Sequence, residues 1–249
     1  MPAPSLSLTA RYILPVEGEP IADGLVTIRD GRSEEVGPAA GRAADLDLGN
    51  AAVLPGLVNA HTHLELAPLD GPDGNGSLDP IGWLRRVVEQ RRGKTPAALR
   101  ETALRNLDAA IHAGTTLVAD TTTDGLSWES IVRAPVRGVV FSEVIGLKRE
   151  RGLETSHRAW EWISSIRPED QVAGNARPGL SPHAPYSTAG WLYHRAAASR
   201  LPLSTHLAEF PEELDLLARQ TGRLRSFLED LSAWDADWDP IGPRPADYV

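Results

Sequence analysis

From residue 51 onward, apolar runs of strand length alternate with segments of helical periodicity. The strand candidates are residues 53–66, 115–120, 136–147, 177–183 and 201–206. Strands that alternate with helices are typical of βα units built around a parallel sheet. The sequence therefore predicts an α/β fold with about five such units, and this pattern constrains the fold more than any other feature.

Helices with clear boundary signals separate these strands. One is predicted to begin at Pro96, after an N-cap at Thr95, and to end before Gly114. Its predicted buried face consists of Leu99, Ala103, Leu107 and Ile111. Shorter helical patterns surround Trp128, 160–166 and 191–198, and a final helix is predicted over 211–219.

The first fifty residues have a different texture and predict a small β module. An apolar and polar run at 25–29 is followed by Asp30-Gly31, a hairpin-type turn, and by a second run at 32–36. We therefore place a domain boundary near residue 50, with a small β module at 1–50 and the βα units at 51–249.

The length limits the architecture of the second part. A complete eight-stranded α/β barrel takes about 250 residues. Residues 51–249 accommodate five βα units, but eight would need unusually short connections throughout. Two architectures remain open, an open five-stranded sheet and an incomplete TIM-type barrel that lacks its last strands.

Composition removes several classes of function. A net charge of -9 disfavours binding to nucleic acid, and 41% hydrophobic residues exclude a disordered chain. No apolar run reaches the roughly 18 residues of a membrane span, and the N-terminus lacks a signal-peptide pattern, so we expect a cytoplasmic protein. Because the chain has no cysteine, any metal site must use His, Asp or Glu.

Histidines are concentrated where strands are predicted to end. Of the seven histidines, His61, His63, His183 and His206 occupy such positions, and sites in α/β folds are built at the carboxyl ends of strands. In an extended strand His61, His63 and Glu65 would share one face. A lone His-x-His pair is a weak signal that also fits two polar residues at a strand end, but His206 supplies a third candidate ligand for a divalent metal.

Glu209 follows His206 by three residues. This spacing suits a carboxylate that moves a proton between activated water and a substrate. It also suits a carboxylate at a helix N-terminus, although Glu212 and Glu213 are better placed for that role.

Several motifs in this order resemble the amidohydrolase superfamily. They are Pro55-Gly56 before His61-x-His63, Gly114-Thr115-Thr116, Ser181-Pro182-His183-Ala184-Pro185-Tyr186, and His206-x-x-Glu209. The closest branch is the group of cytosine deaminases, guanine deaminases and triazine chlorohydrolase-like enzymes. The resemblance runs from about residue 10 to the helix after the fifth predicted strand.

The resemblance implies a (β/α)-barrel beside a small β-sandwich, with a metal that activates water. It implies one divalent metal, zinc or alternatively iron, because the lysine that bridges two metals in binuclear relatives has no counterpart here. The implied roles are metal ligation by His61, His63 and His206, acid/base catalysis by Glu209, and substrate orientation or electrophilic catalysis by His183. Trp83 resembles a tryptophan beside the substrate pocket, although a core or lid position explains it equally well, and Glu65 is a further candidate for substrate contact.

The sequence departs from the family pattern after His206. It contains no later histidine, and no downstream aspartate follows an apolar strand. It therefore resembles the N-terminal part of such an enzyme, and a barrel with open sheet edges is expected to self-associate or to bind a complementing C-terminal fragment.

Two hypotheses about function follow. The first is a hydrolase that breaks a C-N bond by deamination, or a C-Cl bond, in a small heterocyclic substrate. The alternative is a truncated or non-catalytic remnant, or one half of a split enzyme, that is inactive alone. A nucleotide-binding open sheet is excluded because no glycine-rich phosphate loop follows any predicted strand.

Overall fold

The computed structural model describes residues 5–68, 79–172 and 175–249. The chain divides into two compact units, Met1–Leu57 and Val58–Val249. Each unit has its own sheet.

The first unit is a mixed five-stranded sheet. Its strands are β1 (Ser5–Ile13), β2 (Ile21–Arg29), β3 (Arg32–Pro38), β4 (Leu46–Asp47) and β5 (Ala52–Val53). β2 pairs antiparallel with both β1 and β3, whereas β4 and β5 lie parallel to β1. The predicted turn at Asp30 and Gly31 joins β2 to β3, with φ angles of 49° and 71°. Positive φ at both residues matches the twist of a tight hairpin.

The second unit contains a four-stranded sheet flanked by helices, the arrangement of a partial (β/α)-barrel. Its strands, in spatial order, are β6 (Leu57–Thr62), β7 (Thr115–Thr122), β8 (Arg137–Val144) and β9 (Ala176–Pro182). β8 is parallel to both β7 and β9. The helices are α1 (Pro80–Arg92), α2 (Pro96–His112), α3 (Trp128–Arg133), α4 (Arg149–Ser165), α5 (Pro168–Val172), α6 (Gly190–Ala197), α7 (Pro211–Arg219) and α8 (Arg223–Asp230), followed by a 3-10 turn at Pro245–Tyr248.

The strand predicted at 53–66 is wrong in both extent and burial. Val53 belongs to β5, and β6 ends at Thr62. Leu57 and Val58 are 51% and 63% exposed, although the sequence suggested a buried strand. β6 lies at the edge of its sheet in the described part of the chain, so its side chains have strand neighbours on one flank only.

The fifth predicted strand, 201–206, is a single parallel bridge between Leu180 and Leu203. The amide of Leu180 donates to the carbonyl of Pro202 at 3.0 Å, and the amide of Ser204 donates to the carbonyl of Leu180 at 3.1 Å. Pro202 has no N-H to extend this ladder, which explains why the segment stays short. The segment 201–206 nevertheless lies beside β9, and it places His206 next to His183.

Local capping chemistry explains the first two helices. The Thr95 side chain accepts a hydrogen bond from the amide of Ala98 at 3.2 Å, as the N-cap prediction requires. The sequence analysis missed α1, which starts at Pro80 after an equivalent cap. There, Asp79 accepts from the amides of Ile81 and Gly82, both at 3.1 Å.

The main core beside the sheet joins α2 and α3 to β7 and β8. Leu107 of α2 packs in one cluster with Val118, Ile131 and Val140, all of which are fully buried. Strands buried in this way read as continuous apolar runs, which is why β7 and β8 were predictable. Within the described ranges, no helix is long and apolar enough to cross a membrane.

We expect Leu107→Ala to lower the free energy of unfolding by about 2–5 kcal/mol, because it leaves a cavity in this core. The matched control is Leu104→Ala on the same helix, where the side chain is 55% exposed and the change should stay within about 0.5 kcal/mol. Urea unfolding followed by circular dichroism measures both. Equal effects of the two substitutions would contradict the packing of α2.

Candidate metal centre and active site

Three histidine side chains converge at the carboxyl end of the parallel sheet. His61 lies on β6, His63 just beyond it, and His206 after the bridged segment beside β9. One ring nitrogen from each lies within 4.8 Å of the others, and Nε2 of His63 is 3.1 Å from Nε2 of His206. The rings of His63 and His206 are nearly parallel, whereas the His61 ring is perpendicular to both. The three side chains form a compact donor set.

His206 is held by the backbone carbonyl of His183. That oxygen accepts from the amide of His206 and from its Nδ1, each at 2.8 Å. A carbonyl oxygen only accepts, so Nδ1 carries the proton and Nε2 keeps its lone pair. A ring nitrogen oriented in this way is typical of metal-binding histidines.

Burial favours the neutral form of two of these imidazoles. It lowers the pKa of His63 to about 4, even though the nearby carboxylate of Glu143 acts in the opposite direction. Burial, together with the neighbouring His206, also lowers the pKa of His61. Neutral imidazole is the form that ligates a metal, and the three clustered ring nitrogens fit one divalent cation of the zinc type.

Glu209 follows His206 by three residues, and two hydrogen bonds fix its position. The hydroxyl of Tyr186 donates to Glu209 Oε2 at 2.8 Å, and the amide of Glu209 donates to the carboxylate of Glu213 at 2.9 Å. Burial raises the pKa of Glu209, although the bond from Tyr186 opposes this shift. A carboxyl group with a raised pKa is better suited to take up and release protons at neutral pH than an ordinary carboxylate.

His183 lies at the end of β9, and its ring centroid is 4.9 Å from that of His206. Its Nδ1 is 2.6 Å from Ser187 Oγ, and its Nε2 is 4.0 Å from Oε1 of Glu143. Burial lowers the pKa of His183 to about 4, so the ring is neutral at pH 7.

Arg91 links two buried carboxylates, those of Glu65 and Glu143. It donates to Glu65 Oε1 at 2.7 Å and to Glu143 Oε2 at 3.0 Å. Burial opposes the charge of Glu143, but attraction by protonated His183 at low pH and by Arg91 is stronger and lowers the pKa of Glu143 below its usual range. Neither α1 nor Arg91 is among the residues predicted from the sequence, although the Asp79-Pro80 pair is a usable signal for the start of this helix.

Glu65 does not follow the strand alternation that placed it on one face with His61 and His63. β6 ends at Thr62, and Glu65 is fully buried. Besides Arg91, it accepts from the hydroxyl of Thr122 at 2.6 Å and from the hydroxyl of Thr123 at 3.1 Å. Both oxygens of Glu65 therefore have protein partners.

Trp83 lies on α1 and is partly exposed. Its ring centroid is 6.3 Å from that of Phe210, the residue after Glu209. This contact is compatible with a wall of a substrate pocket and equally with a packing role, so its part in substrate binding stays a prediction.

Known proteins resemble this chain in sequence. Residues 52–233 match the model of the amidohydrolase family. A 5-methylthioadenosine/S-adenosylhomocysteine deaminase from Nitratidesulfovibrio vulgaris is 30% identical over 212 residues, which are 78% of this chain and 46% of the relative. The chain thus spans about half the length of the curated relatives that it matches.

Solved structures share the fold. Helicobacter pylori aminofutalosine deaminase, in complex with methylthio-coformycin, has a TM-score of 0.76 at 21% identity, covering 98% of this chain and 60% of that structure. An adenosine deaminase from Xanthomonas campestris with bound zinc has a TM-score of 0.71 at 22% identity, covering 94% of this chain and 56% of that structure.

We expect Glu213→Gln to increase stability more at pH 8 than at pH 5. Burial raises the pKa of Glu213 from 4.5 to about 7. Between these values the folded chain keeps a proton that the unfolded chain releases, so its free energy of unfolding falls as the pH rises. The amide stays neutral and still accepts from the amide of Glu209. The relative gain should be on the order of 2 kcal/mol.

Urea unfolding at both pH values measures this difference. The control is Glu229→Gln, which removes an exposed carboxylate on α8. A difference between Glu213→Gln and wild type that is independent of pH would contradict the burial of Glu213 as a neutral acid.

Proposed function

The chain belongs to the amidohydrolase family, and from this premise we propose that it is a metal-dependent hydrolase that deaminates a small nitrogen heterocycle. One observation carries the proposal. His61, His63 and His206 bring three ring nitrogens within 4.8 Å of one another, and Glu209 follows the last of them by three residues.

His61, His63 and His206 would hold one divalent metal, which we propose to be zinc, with iron as the second choice. A metal at such a site lowers the pKa of water toward about 7 and so supplies a nucleophile at neutral pH. The protein's own contribution is to favour the neutral form of His61 and His63 through burial. The carbonyl of His183 orients the ring of His206.

Glu209 is the proposed general acid and base. In deamination a C-O bond forms between water and the ring carbon that carries the amino group, and a ring nitrogen gains one proton of that water. The C-N bond then breaks as the amino group takes the second proton and leaves as ammonia. The raised pKa of Glu209 lets it take a proton from water and give it to the heterocycle. The hydroxyl of Tyr186 holds its Oε2, so the carboxyl group keeps one orientation during this transfer.

We propose deamination rather than dechlorination because the relative and both structures described above are named as deaminases. Neutral His183 would orient the heterocycle beside the metal site, and Trp83 would contact it from α1. The substrate class is an amino-substituted heterocycle of purine type.

A second candidate is a chain that needs a complementing half for activity. Among the described residues, the candidate metal cluster consists of three histidines and includes no carboxylate. The assay below therefore includes an arm with the C-terminal half of a related deaminase.

The test is elemental analysis of the purified chain, with ammonia release measured on aminopurine nucleosides. We expect about one metal per wild-type chain. The variant His61→Ala/His63→Ala should lose both the metal and ammonia release. The matched control removes two exposed histidines of the helices, His112→Ala/His157→Ala, and should keep both.

Two results would contradict the proposal. A folded wild-type chain that holds no metal would refute the site. A metal-loaded chain that releases no ammonia, with or without the complementing half, would refute deamination.

A further inference from the structure

Glu143 has one engaged oxygen and one oxygen without a partner. Its Oε2 accepts from Arg91, whereas the buried Oε1 has no hydrogen-bond partner among the described residues. Oε1 is 4.0 Å from Nε2 of His183. A buried carboxylate oxygen without a hydrogen-bond donor costs free energy. The folded chain is therefore more stable when a neighbouring group directs an N-H or O-H toward that oxygen.

Ser187 alone does not decide which nitrogen of His183 carries the proton. In one arrangement, Nδ1-H donates to Ser187 Oγ at 2.6 Å and the hydroxyl donates to the carbonyl of Ala184 at 3.3 Å. In the other, the hydroxyl donates to Nδ1 and Nε2 carries the proton. Both satisfy Ser187.

The carboxylate of Glu143 favours one of these two arrangements over the other. The first turns the bare lone pair of His183 Nε2 toward a negative charge, whereas the second turns an N-H toward it. We propose that Glu143 is a positioning residue that fixes His183 as the Nε2-H tautomer.

A network of buried contacts keeps Glu143 charged and in place. Arg91 holds its Oε2, and Glu65 holds Arg91 from the other side at 2.7 Å. Glu65 is itself held by the hydroxyls of Thr122 and Thr123. The network thus runs from Glu65, which follows β6, and from the end of β7, through α1, to the end of β8. It gives Glu65 a role in positioning His183 through Arg91 and Glu143.

The tautomer restricts the substrate, and this consequence rests on the proposed function. With its proton on Nε2 facing Glu143 and its Nδ1 engaged by Ser187, neutral His183 has no free lone pair to offer a bound molecule. We therefore expect that a substrate donor, such as an amino group or a protonated ring nitrogen, is not accepted by His183.

Nitrogen NMR of the chain labelled with 15N at histidine tests the tautomer directly. The signals of His183 are assigned by comparison with His183→Asn, on the chain as purified. Wild type should show the Nε2-H form of His183. In Glu143→Gln the ratio of the Nε2-H to the Nδ1-H form should fall about tenfold, the difference between a charge-assisted and a neutral interaction.

Three further variants separate charge from structure. Glu143→Asp keeps the charge and should keep the Nε2-H form. Ser187→Ala removes the partner of Nδ1, and Glu143 should still hold the proton on Nε2. Glu213→Gln removes another buried carboxylate and should leave the tautomer of His183 unchanged.

An Nδ1-H form in wild type, an unchanged ratio in Glu143→Gln, or a switch in Ser187→Ala would overturn the proposal. Ser187→Ala keeps the charged network, so the test stands even if Glu143→Gln fails to fold. The measurement needs no substrate and no turnover. A failure of deamination would therefore leave this result intact, and the reverse also holds.

Discussion

The carbonyl oxygen of His183 accepts two hydrogen bonds from His206, and the candidate site depends on this arrangement. The backbone bond fixes the segment after the single β-bridge against the end of β9. The ring bond fixes the proton on Nδ1 of His206 and leaves Nε2 for a metal. One peptide group thus sets both the place and the protonation of a ligand. It also ties the candidate metal ligand to the residue proposed to orient the substrate.

The buried ionisable groups near this carbonyl differ in their protonation. It lowers the pKa of His63 and His183 to about 4, so both rings are neutral at pH 7. Glu143 shifts toward the ionised form, with the charged Arg91 donating to its Oε2 and opposing the cost of its burial. Glu209 shifts in the other direction, toward protonation. Two buried carboxyl groups in one site thus acquire opposite tendencies, an arrangement that suits a fixed electrostatic role for one and proton transfer for the other.

The sequence predicted the elements whose signals are local. The helix α2, with its cap at Thr95 and its face through Leu107, could be predicted because capping and periodicity act within a few residues. The four histidines at strand ends could be located for the same reason. Arg91 could not, because its burial depends on two carboxylates distant in the chain, and charged residues are mostly exposed. The apolar pattern at 201–206 predicted a full strand, but the structure has one bridge at Leu203. The extent of this pairing depends on tertiary contacts with β9.

We propose that His61, His63 and His206, within this chain, form a site that binds one divalent metal. X-ray absorption at the zinc edge of the zinc-loaded chain tests it most directly, because imidazole ligands give a characteristic scattering pattern. We expect three imidazoles per zinc in wild type, and two in His206→Ala. A zinc spectrum with no more than one imidazole, or one unchanged by His206→Ala, would contradict this metal site.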